Sequence, residues 1–91
     1  MKYNLEYTIR FKKDYKLLIK RGYKESLIQK VIGLIANDIP LPTKYRPHKL
    51  IGNYKDCWEC HIHPDWLLIW QIIESTNTLL LIRTGTHSDL F

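Results

Sequence analysis

The sequence predicts an α+β fold with the order β-α-α-β-β-β, in which a small, mostly antiparallel sheet packs on a two-helix hairpin. Three observations lead to this prediction: an alternating strand pattern at the N-terminus, two stretches with helical apolar spacing, and three apolar stretches separated by turn residues. The 91 residues suffice for one hydrophobic core, so we expect a single domain over residues 1–91.

The first strand and the helical hairpin occupy residues 3–36. Apolar side chains fill every second position from 3 to 9, which is typical of a half-buried strand. From about Phe11 the spacing becomes helical, and Gly22 is well placed to end this first helix. A second apolar stripe runs from Lys24 to Ala36 and stops before Pro40. We interpret both stripes as core-facing surfaces without a chemical role.

Residues 38–49 contain three prolines, so we expect a long loop without regular structure. The loop mixes cations with an aromatic residue, which suits an RNA backbone and a stacked base: Lys44, Tyr45, Arg46, His48 and Lys49. An ordinary basic surface loop explains that mixture equally well when it is taken alone.

The remaining residues predict three strands joined by two short turns. The strands span about 55–63, 66–73 and 78–84, and the turns lie at 64–65 and 74–77. The middle strand is apolar at both parities, so it should be central, with the helices covering one face.

Antiparallel pairing of these strands predicts where the polar side chains meet. If positions 72 and 79 lie opposite each other, the end of the last strand returns beside Asp65 and brings His87 to the first turn. His61 and His63 share one face of the neighbouring strand and end at the same turn. Two distant segments therefore bring three imidazoles and a carboxylate to one edge of the sheet.

Such a cluster can cleave RNA without a metal or another cofactor. One imidazole takes the proton of a ribose 2′-hydroxyl group, the alkoxide attacks the adjacent phosphorus in line, and a second imidazole protonates the departing 5′-oxygen. A nearby Lys or Arg stabilises the charge on the phosphate, and an Asp can orient an imidazole. The cluster therefore favours a small ribonuclease.

Zinc binding is the competing interpretation, because His61, His63 and Asp65 with His87 offer suitable ligands. Residues 57–61 also match the C-x-x-C-H pattern of haem attachment. That attachment requires export, and the two cysteines of an extended strand with this spacing point to opposite faces. We therefore treat the haem match as accidental, with Cys60 packed in the core and Cys57 without a role.

Positive charge is concentrated in the first part of the chain. The net charge is +5, and residues 1–55 hold 13 of the 14 Lys and Arg but only 4 of the 9 Asp and Glu. This basic part suits RNA or an acidic protein partner, so a catalytically silent RNA-binding or partner-binding module is a further interpretation. The sequence has neither an apolar run of the roughly 20 residues that a membrane span needs nor a signal peptide, so we expect a cytoplasmic protein without membrane contact.

Four motifs stand out in the order of the chain. They are Pro-Leu-Pro at residues 40–42, His-x-Leu-x-Gly at 48–52, His-x-x-Pro-Asp-Trp at 61–66, and the closing Arg-Thr-Gly-Thr-His-Ser-Asp-Leu-Phe at 83–91. With the order of the secondary-structure elements, these motifs resemble the YafQ family, a branch of the RelE/ParE-like toxins of bacterial type II toxin–antitoxin systems. The N-terminal helices match that family only in pattern.

The resemblance implies an mRNA endoribonuclease that acts on the ribosome in the best-known members and is neutralised by an acidic antitoxin encoded nearby. It implies no cofactor and no DNA binding by the chain on its own. His87 would be the acid and either His48 or His61 the base, while Asp65 supports them and Phe91 borders the substrate. His63 falls where the family varies and ranks below the others. The candidate substrate contacts are Lys44, Arg46, Lys49, Trp66 and Arg83.

Overall fold

Five strands form one mixed sheet in the computed structural model, which describes residues 1–91. The strands are β1 (Asn4–Tyr7), β2 (His48–Lys49), β3 (Trp58–His63), β4 (Trp66–Ile73) and β5 (Thr78–Gly85). The helices are α1 (Ile9–Lys20), α2 (Glu25–Ala36) and α3 (His87–Leu90). The order across the sheet is β1-β5-β4-β3-β2, with β1 parallel to β5 and every other pair antiparallel. The predicted α+β fold is confirmed.

The helical hairpin α1–α2 begins where Thr8 caps α1. The Thr8 hydroxyl oxygen accepts a hydrogen bond from the backbone N–H of Phe11 at 2.9 Å, so the helix starts two residues before the predicted position. Gly22 follows the helix at φ +88°, which glycine adopts without strain. The apolar sides of both helices pack on one face of the sheet and form the main core, as predicted. None of the three helices is long and apolar enough to cross a membrane.

The register of β4 and β5 determines what lies at the edge of the sheet. Ile72 pairs with Leu79, as the sequence analysis assumed, and after a shift of the register between Ile69 and Trp70, Leu67 pairs with Gly85 at the far end. The residues that follow β5 therefore lie beside the turn that precedes β4. This pairing brings two segments more than 20 residues apart in sequence to one place, as the 22-residue separation of Asp65 and His87 illustrates.

The prediction that residues 38–49 lack regular structure is wrong in two places. Residues Thr43–Tyr45 form a turn of 3₁₀ helix, and β2 pairs with β3 at the edge of the sheet. The three prolines lie outside both elements, so no ladder hydrogen bond is lost to them. The short strand matters because it fixes the position of His48.

Two further boundaries differ from the prediction. The third strand of the chain begins at Trp58 and not near residue 55, because Gly52–Tyr54 forms a 3₁₀ turn that continues with a hydrogen bond from the Cys57 backbone N–H to the Tyr54 carbonyl oxygen at 3.0 Å. After β5 the chain forms α3, which the sequence analysis did not anticipate. A single helical turn of four residues is too short to show an apolar periodicity.

The face of the sheet opposite α1 and α2 carries a smaller apolar cluster. Cys57, Leu67, Ile69 and Leu90 are buried there. Cys60 lies in the main core on the other face, and burial raises its pKa to about 12. The two free cysteines therefore lie on opposite faces, as predicted, but Cys57 packs in this cluster, so the expectation that it has no role is wrong.

Candidate active site

Three imidazoles form a row at the edge of the face that α1 and α2 leave open. His48 comes from β2, His61 from β3 and His87 from the start of α3. The ring centroids of His48 and His61 are 6.4 Å apart, and those of His61 and His87 are 5.8 Å apart. The predicted meeting of His61, Asp65 and His87 is confirmed, and β2 adds His48 to the same group.

Asp65 holds His87 through both its backbone and its ring. The carboxylate oxygen Oδ1 of Asp65 accepts a hydrogen bond from the His87 backbone N–H at 2.9 Å and lies 2.6 Å from the ring nitrogen Nδ1. These hydrogen bonds, first the backbone one and then the side-chain one, lower the pKa of Asp65. Because Nδ1 is directed at the carboxylate, Nε2 is the ring nitrogen left for a substrate.

Glu59 is a member of the site that the sequence analysis missed. It pairs with His48 across β2 and β3, and its Oε1 lies 3.0 Å from His48 Nε2. Glu59 is only 5% exposed, and its second oxygen, Oε2, is buried without a hydrogen-bond partner. A carboxylate in such a place needs a functional or structural reason. The signal was present in the sequence, because residues 59 and 61 have the same parity in one strand.

His63 does not belong to the row, contrary to the sequence prediction. The pairing of β3 with β4 shifts between positions 61 and 63, so that His61 lies opposite Leu67 but His63 lies opposite Trp66. Directly opposed residues share a face, and Leu67 and Trp66 lie on different faces. The irregularity therefore turns His63 to the helical side, where its ring centroid is 6.1 Å from that of Trp66.

The alternative zinc site of His61, His63, Asp65 and His87 is therefore not assembled. A different group could hold a metal ion, since the ligand atoms of His48, Glu59 and His61 all lie within 4.8 Å of one another. Imidazole nitrogens and a carboxylate oxygen are ligands that zinc accepts. Two of these three residues are the histidines that we consider for catalysis, so a bound metal would compete with that role.

The proposed RNA contacts of the proline-rich loop divide between the two faces. Lys44, Arg46 and His61 line one groove of about 380 Å³ at the edge of the sheet, and His63, Ile62 and Leu27 of the helical side line it as well. Both cations therefore lie beside the end of the row. Lys49 alternates with His48 along β2, and its Nζ lies 5.6 Å from the ring centroid of Trp58. Because Trp58 packs against the main core, Lys49 lies on the helical side. Lys49 is therefore not placed to contact the reacting phosphate.

Trp66 is a core residue and not a substrate contact. It is 2% exposed, and its indole Nε1 donates a hydrogen bond to the Thr84 hydroxyl oxygen at 3.0 Å. Its ring meets that of Tyr23 edge-on, with centroids 5.0 Å apart. The prediction that Trp66 binds substrate is wrong. Trp66 is the first residue of β4 after the turn, and its side chain lies on the face that the helices cover.

Arg83 is 9% exposed and is largely committed to α1. Its Nε and Nη2 atoms donate hydrogen bonds to the two carboxylate oxygens of Asp14 at 2.7 and 3.0 Å. This bidentate pair raises the pKa of Arg83 further above its usual range. Two of its five N–H donors are used on Asp14, and Tyr54 also lies within hydrogen-bond reach, so any contact of Arg83 with RNA is limited to the remaining N–H groups.

Phe91 offers an exposed aromatic surface beside the row. It is 67% exposed, and its ring lies edge-on to that of Tyr54 with centroids 5.8 Å apart. An exposed phenylalanine supported from one side suits stacking on a splayed base. Its place directly after α3 connects it to the turn that carries His87.

Asp89 in α3 should make folding stability depend on pH in the acid range. Hydrogen bonds from Arg21 and from the Thr86 backbone lower its pKa from 3.8 to about 2. A carboxyl group whose pKa is depressed in the folded state contributes its full stabilisation of the fold when the pH is above its pKa in the unfolded state. That contribution is lost as the pH falls through the pKa in the folded state. We expect a loss of about 1 kcal/mol between pH 4 and pH 2, after allowance for solvent screening of this partly exposed group. Urea unfolding of wild type and Asp89→Asn over that range measures the difference, which should shrink toward pH 2 and vanish only below the folded-state pKa of about 2.

Comparison with known proteins agrees with this fold over nearly its full length. Residues 3–91 match the family described as the bacterial toxin of type II toxin–antitoxin system, YafQ. The chain is 36% identical over 89 residues to the mRNA interferase toxin YafQ of Escherichia coli K12, which covers 97% of this chain and 95% of the relative.

Solved structures give the same result. A crystal structure of a metal-bound toxin from Helicobacter pylori is similar with a TM-score of 0.93 and 46% identity, covering 98% of this chain and 99% of that one. The E. coli DinJ–YafQ toxin–antitoxin complex contains a chain similar at a TM-score of 0.89 and 35% identity, covering 100% and 99%.

The five-stranded sheet with a helical hairpin on one face is thus the architecture of a small bacterial toxin. The row of histidines lies at the edge of the opposite face. The chain belongs to the YafQ family of toxins of type II toxin–antitoxin systems.

Proposed function

We propose that this protein is an endoribonuclease that cleaves mRNA without a metal, by attack of a ribose 2′-hydroxyl group on the adjacent phosphorus. The observation that carries the proposal is the row of three imidazoles with neighbouring centroids 6.4 and 5.8 Å apart. Groups at that spacing can reach both the attacking and the departing oxygen of one phosphodiester. The mRNA interferase activity named for the E. coli relative is of the same kind.

His87 is the general acid in this proposal. Its Nδ1 lies 2.6 Å from Asp65 Oδ1, so Nε2–H is available to protonate the departing 5′-oxygen. The Asp65 carboxylate both orients the ring and stabilises the imidazolium form that an acid requires. The hydrogen bond from the His87 backbone to the same oxygen keeps the ring and the carboxylate in register.

His61 is the better candidate for the base, a choice that the sequence left open. Its Nδ1 lies 3.3 Å from the Pro64 carbonyl oxygen, which can only accept, so Nδ1 carries the proton and the Nε2 lone pair is free for the 2′-hydroxyl group. Both nitrogens of His48 face acceptors, the Lys49 carbonyl oxygen at 3.3 Å and Glu59 Oε1 at 3.0 Å. Because both nitrogens face acceptors, neither offers a free lone pair to the 2′-hydroxyl group, so His48 is the weaker candidate for the base.

The RNA strand would cross the row along the basic groove. Lys44 and Arg46 border that groove and suit the phosphates next to the scissile one. Phe91, at the other end of the row, would stack on a base and help to turn the ribose toward His61. These contacts position the strand and carry no metal requirement.

An acidic antitoxin is the proposed protein partner, and mRNA on the ribosome is the proposed substrate. The E. coli relative was crystallised with its antitoxin DinJ, which supports a partner of that kind here. Thirteen of the 14 Lys and Arg lie in residues 1–55, so α1, α2 and the loop offer an acidic chain a complementary surface.

Cleavage of a short RNA in excess chelator tests the proposed chemistry. We expect cleavage at the wild-type rate in EDTA, with products that end in a 2′,3′-cyclic phosphate and a 5′-hydroxyl group. A single 2′-deoxy substitution at the cleaved nucleotide should abolish cleavage there, because it removes the nucleophile, while the same substitution one nucleotide downstream is the matched control. Products with a 5′-phosphate, or activity that disappears in EDTA, would contradict the mechanism.

A further inference from the structure

We propose that Arg21 and Asp89 form a positioning pair for His87, so that the end of α1 helps to set the rate of the proposed chemical step. Neither residue touches the row of imidazoles, and the inference rests on the ribonuclease function proposed above. The pair would act by holding the short α3 turn in the one place where His87 Nε2 reaches the departing oxygen.

The turn that carries His87 cannot hold its own conformation. α3 has four residues, and isolated helices shorter than about 12 residues are marginal in water. His87 is half exposed, with 53% of its side chain accessible, so core packing does not fix it. Burial of Leu90 anchors the C-terminal part of the turn, so the position of His87 depends on the hydrogen bonds at the N-terminal end.

Asp89 supplies the bonds at one end. Its Oδ2 accepts a hydrogen bond from the Thr86 backbone N–H at 2.9 Å, while the Asp89 backbone N–H donates to the Thr86 hydroxyl oxygen at 3.2 Å. This reciprocal capping box encloses His87, which is the residue directly after Thr86.

Arg21 clamps the same carboxylate from the helical hairpin. Its Nη1 donates to Asp89 Oδ2 at 2.8 Å and its Nη2 approaches Asp89 Oδ1 at 3.3 Å, across 68 positions of sequence. Arg21 is the residue that caps α1, and its backbone N–H donates to the Leu17 carbonyl oxygen at 3.0 Å. The base of the side chain is thus part of a rigid helix end, so α1 and the α3 turn are tied together.

Gly85 shows how closely this carboxylate is packed. Gly85 has φ +158°, and a Cβ atom built there would lie 2.9 Å from both Cβ and Oδ2 of Asp89. Such a distance is shorter than real Cβ atoms tolerate, so the end of β5 and the Asp89 side chain fit only because position 85 lacks a side chain. The Gly85 backbone therefore lies directly against the carboxylate that Arg21 meets.

Magnitudes separate a positioning role from a merely stabilising one. The Arg21 side chain is 40% exposed, and an exposed ion pair contributes only about 0 to 1 kcal/mol to stability. A misplacement of about 1 Å in a catalytic group can cost a factor on the order of 100 in rate. Loss of the pair should therefore affect the chemical step much more than the stability of the fold.

Steady-state cleavage kinetics of Arg21→Ala test the inference. We expect the rate constant at saturating RNA to fall about 10-fold, with KM within about twofold of wild type and Tm within about 3 °C. Arg21→Lys should recover part of the rate, because it keeps the charge but not the bidentate fork. Lys20→Ala, a neighbouring exposed cation that makes no ion pair, is the matched control and should behave as wild type.

Imidazole NMR supplies a readout that a simple loss of stability would not change. In Arg21→Ala the Nδ1–H signal of His87, which reports its hydrogen bond to Asp65, should broaden by exchange with water while the signals of the core are unchanged. A wild-type rate with an unchanged His87 signal would overturn the inference. So would a raised KM at an unchanged rate, which would make Arg21 an RNA contact. If His87→Ala also cleaved normally, the proposed function itself would fail; if only Arg21→Ala did, that function would stand without this pair.

Discussion

Replacing His87 with alanine is expected to slow RNA cleavage by about 10²- to 10⁴-fold, the range that loss of a general acid or base causes. The fold should survive, because 53% of the His87 side chain is exposed and its ring bonds only to Asp65. The rate constant for a synthetic RNA at saturating enzyme measures the effect directly. Circular dichroism and the midpoint of urea unfolding verify that the variant is folded.

His63→Ala is the matched control for this result. His63 is also an exposed imidazole near the turn and lines the groove of Lys44 and Arg46, but its ring lies on the helical side next to Trp66 and outside the row. Its loss should leave the rate constant within about twofold of wild type, as for a surface substitution that contacts no reacting atom. Retained growth arrest by His87→Ala together with retained RNA binding would instead favour a catalytically silent module that acts through the basic helices.

Replacing Trp66 with alanine is expected to lower the free energy of unfolding by about 3–5 kcal/mol, the usual cost of removing a buried large aromatic side chain. Trp66 is 2% exposed, contacts Tyr23, and satisfies the buried Thr84 hydroxyl group through its indole N–H. A domain of this size has a total stability of about 5–15 kcal/mol, so this loss is a large part of it. Urea unfolding monitored by circular dichroism measures the change.

Trp66→Phe distinguishes a core role from a substrate contact. It keeps most of the ring volume and removes the hydrogen bond to Thr84, so we expect a loss of about 1–2 kcal/mol and an unchanged cleavage rate per folded molecule. A variant that remained as stable as wild type but bound RNA more weakly would restore the original assignment of Trp66 to the substrate site.

The sequence was sufficient for the features that depend on local pattern. The sequence analysis assumed that Ile72 lies opposite Leu79, and the structure has this pair; antiparallel pairing from it placed the end of β5 near Asp65. The shift of the register between Ile69 and Trp70 was not part of that assumption. The helical spacing of apolar residues likewise predicted α1 and α2, because it too is a local pattern. The meeting of Asp65 and His87 therefore followed from the antiparallel pairing of two strands.

The remaining features depend on contacts between distant residues. β2 has two residues and exists because β3 offers it a partner, so neither its pairing nor the contact of His48 with Glu59 leaves a periodic signal. The shift of the register after His61 places His63 on the face opposite to the one that simple alternation predicts. Arg83 meets Asp14 across 69 positions, and no spacing rule links them.

Changing the leaving group of the RNA tests the role of His87 most directly. In an RNA whose departing 5′-oxygen is replaced by sulfur, the thiolate leaves without a proton, so a general acid is no longer needed. His87→Ala should then cleave the sulfur-containing RNA within about 10-fold of wild type, although it barely cleaves the ordinary one. His61→Ala should stay slow on both, because the 2′-hydroxyl group still needs a base. If His87→Ala were equally slow on the two RNAs, His87 would not be the acid and the proposed mechanism would be wrong.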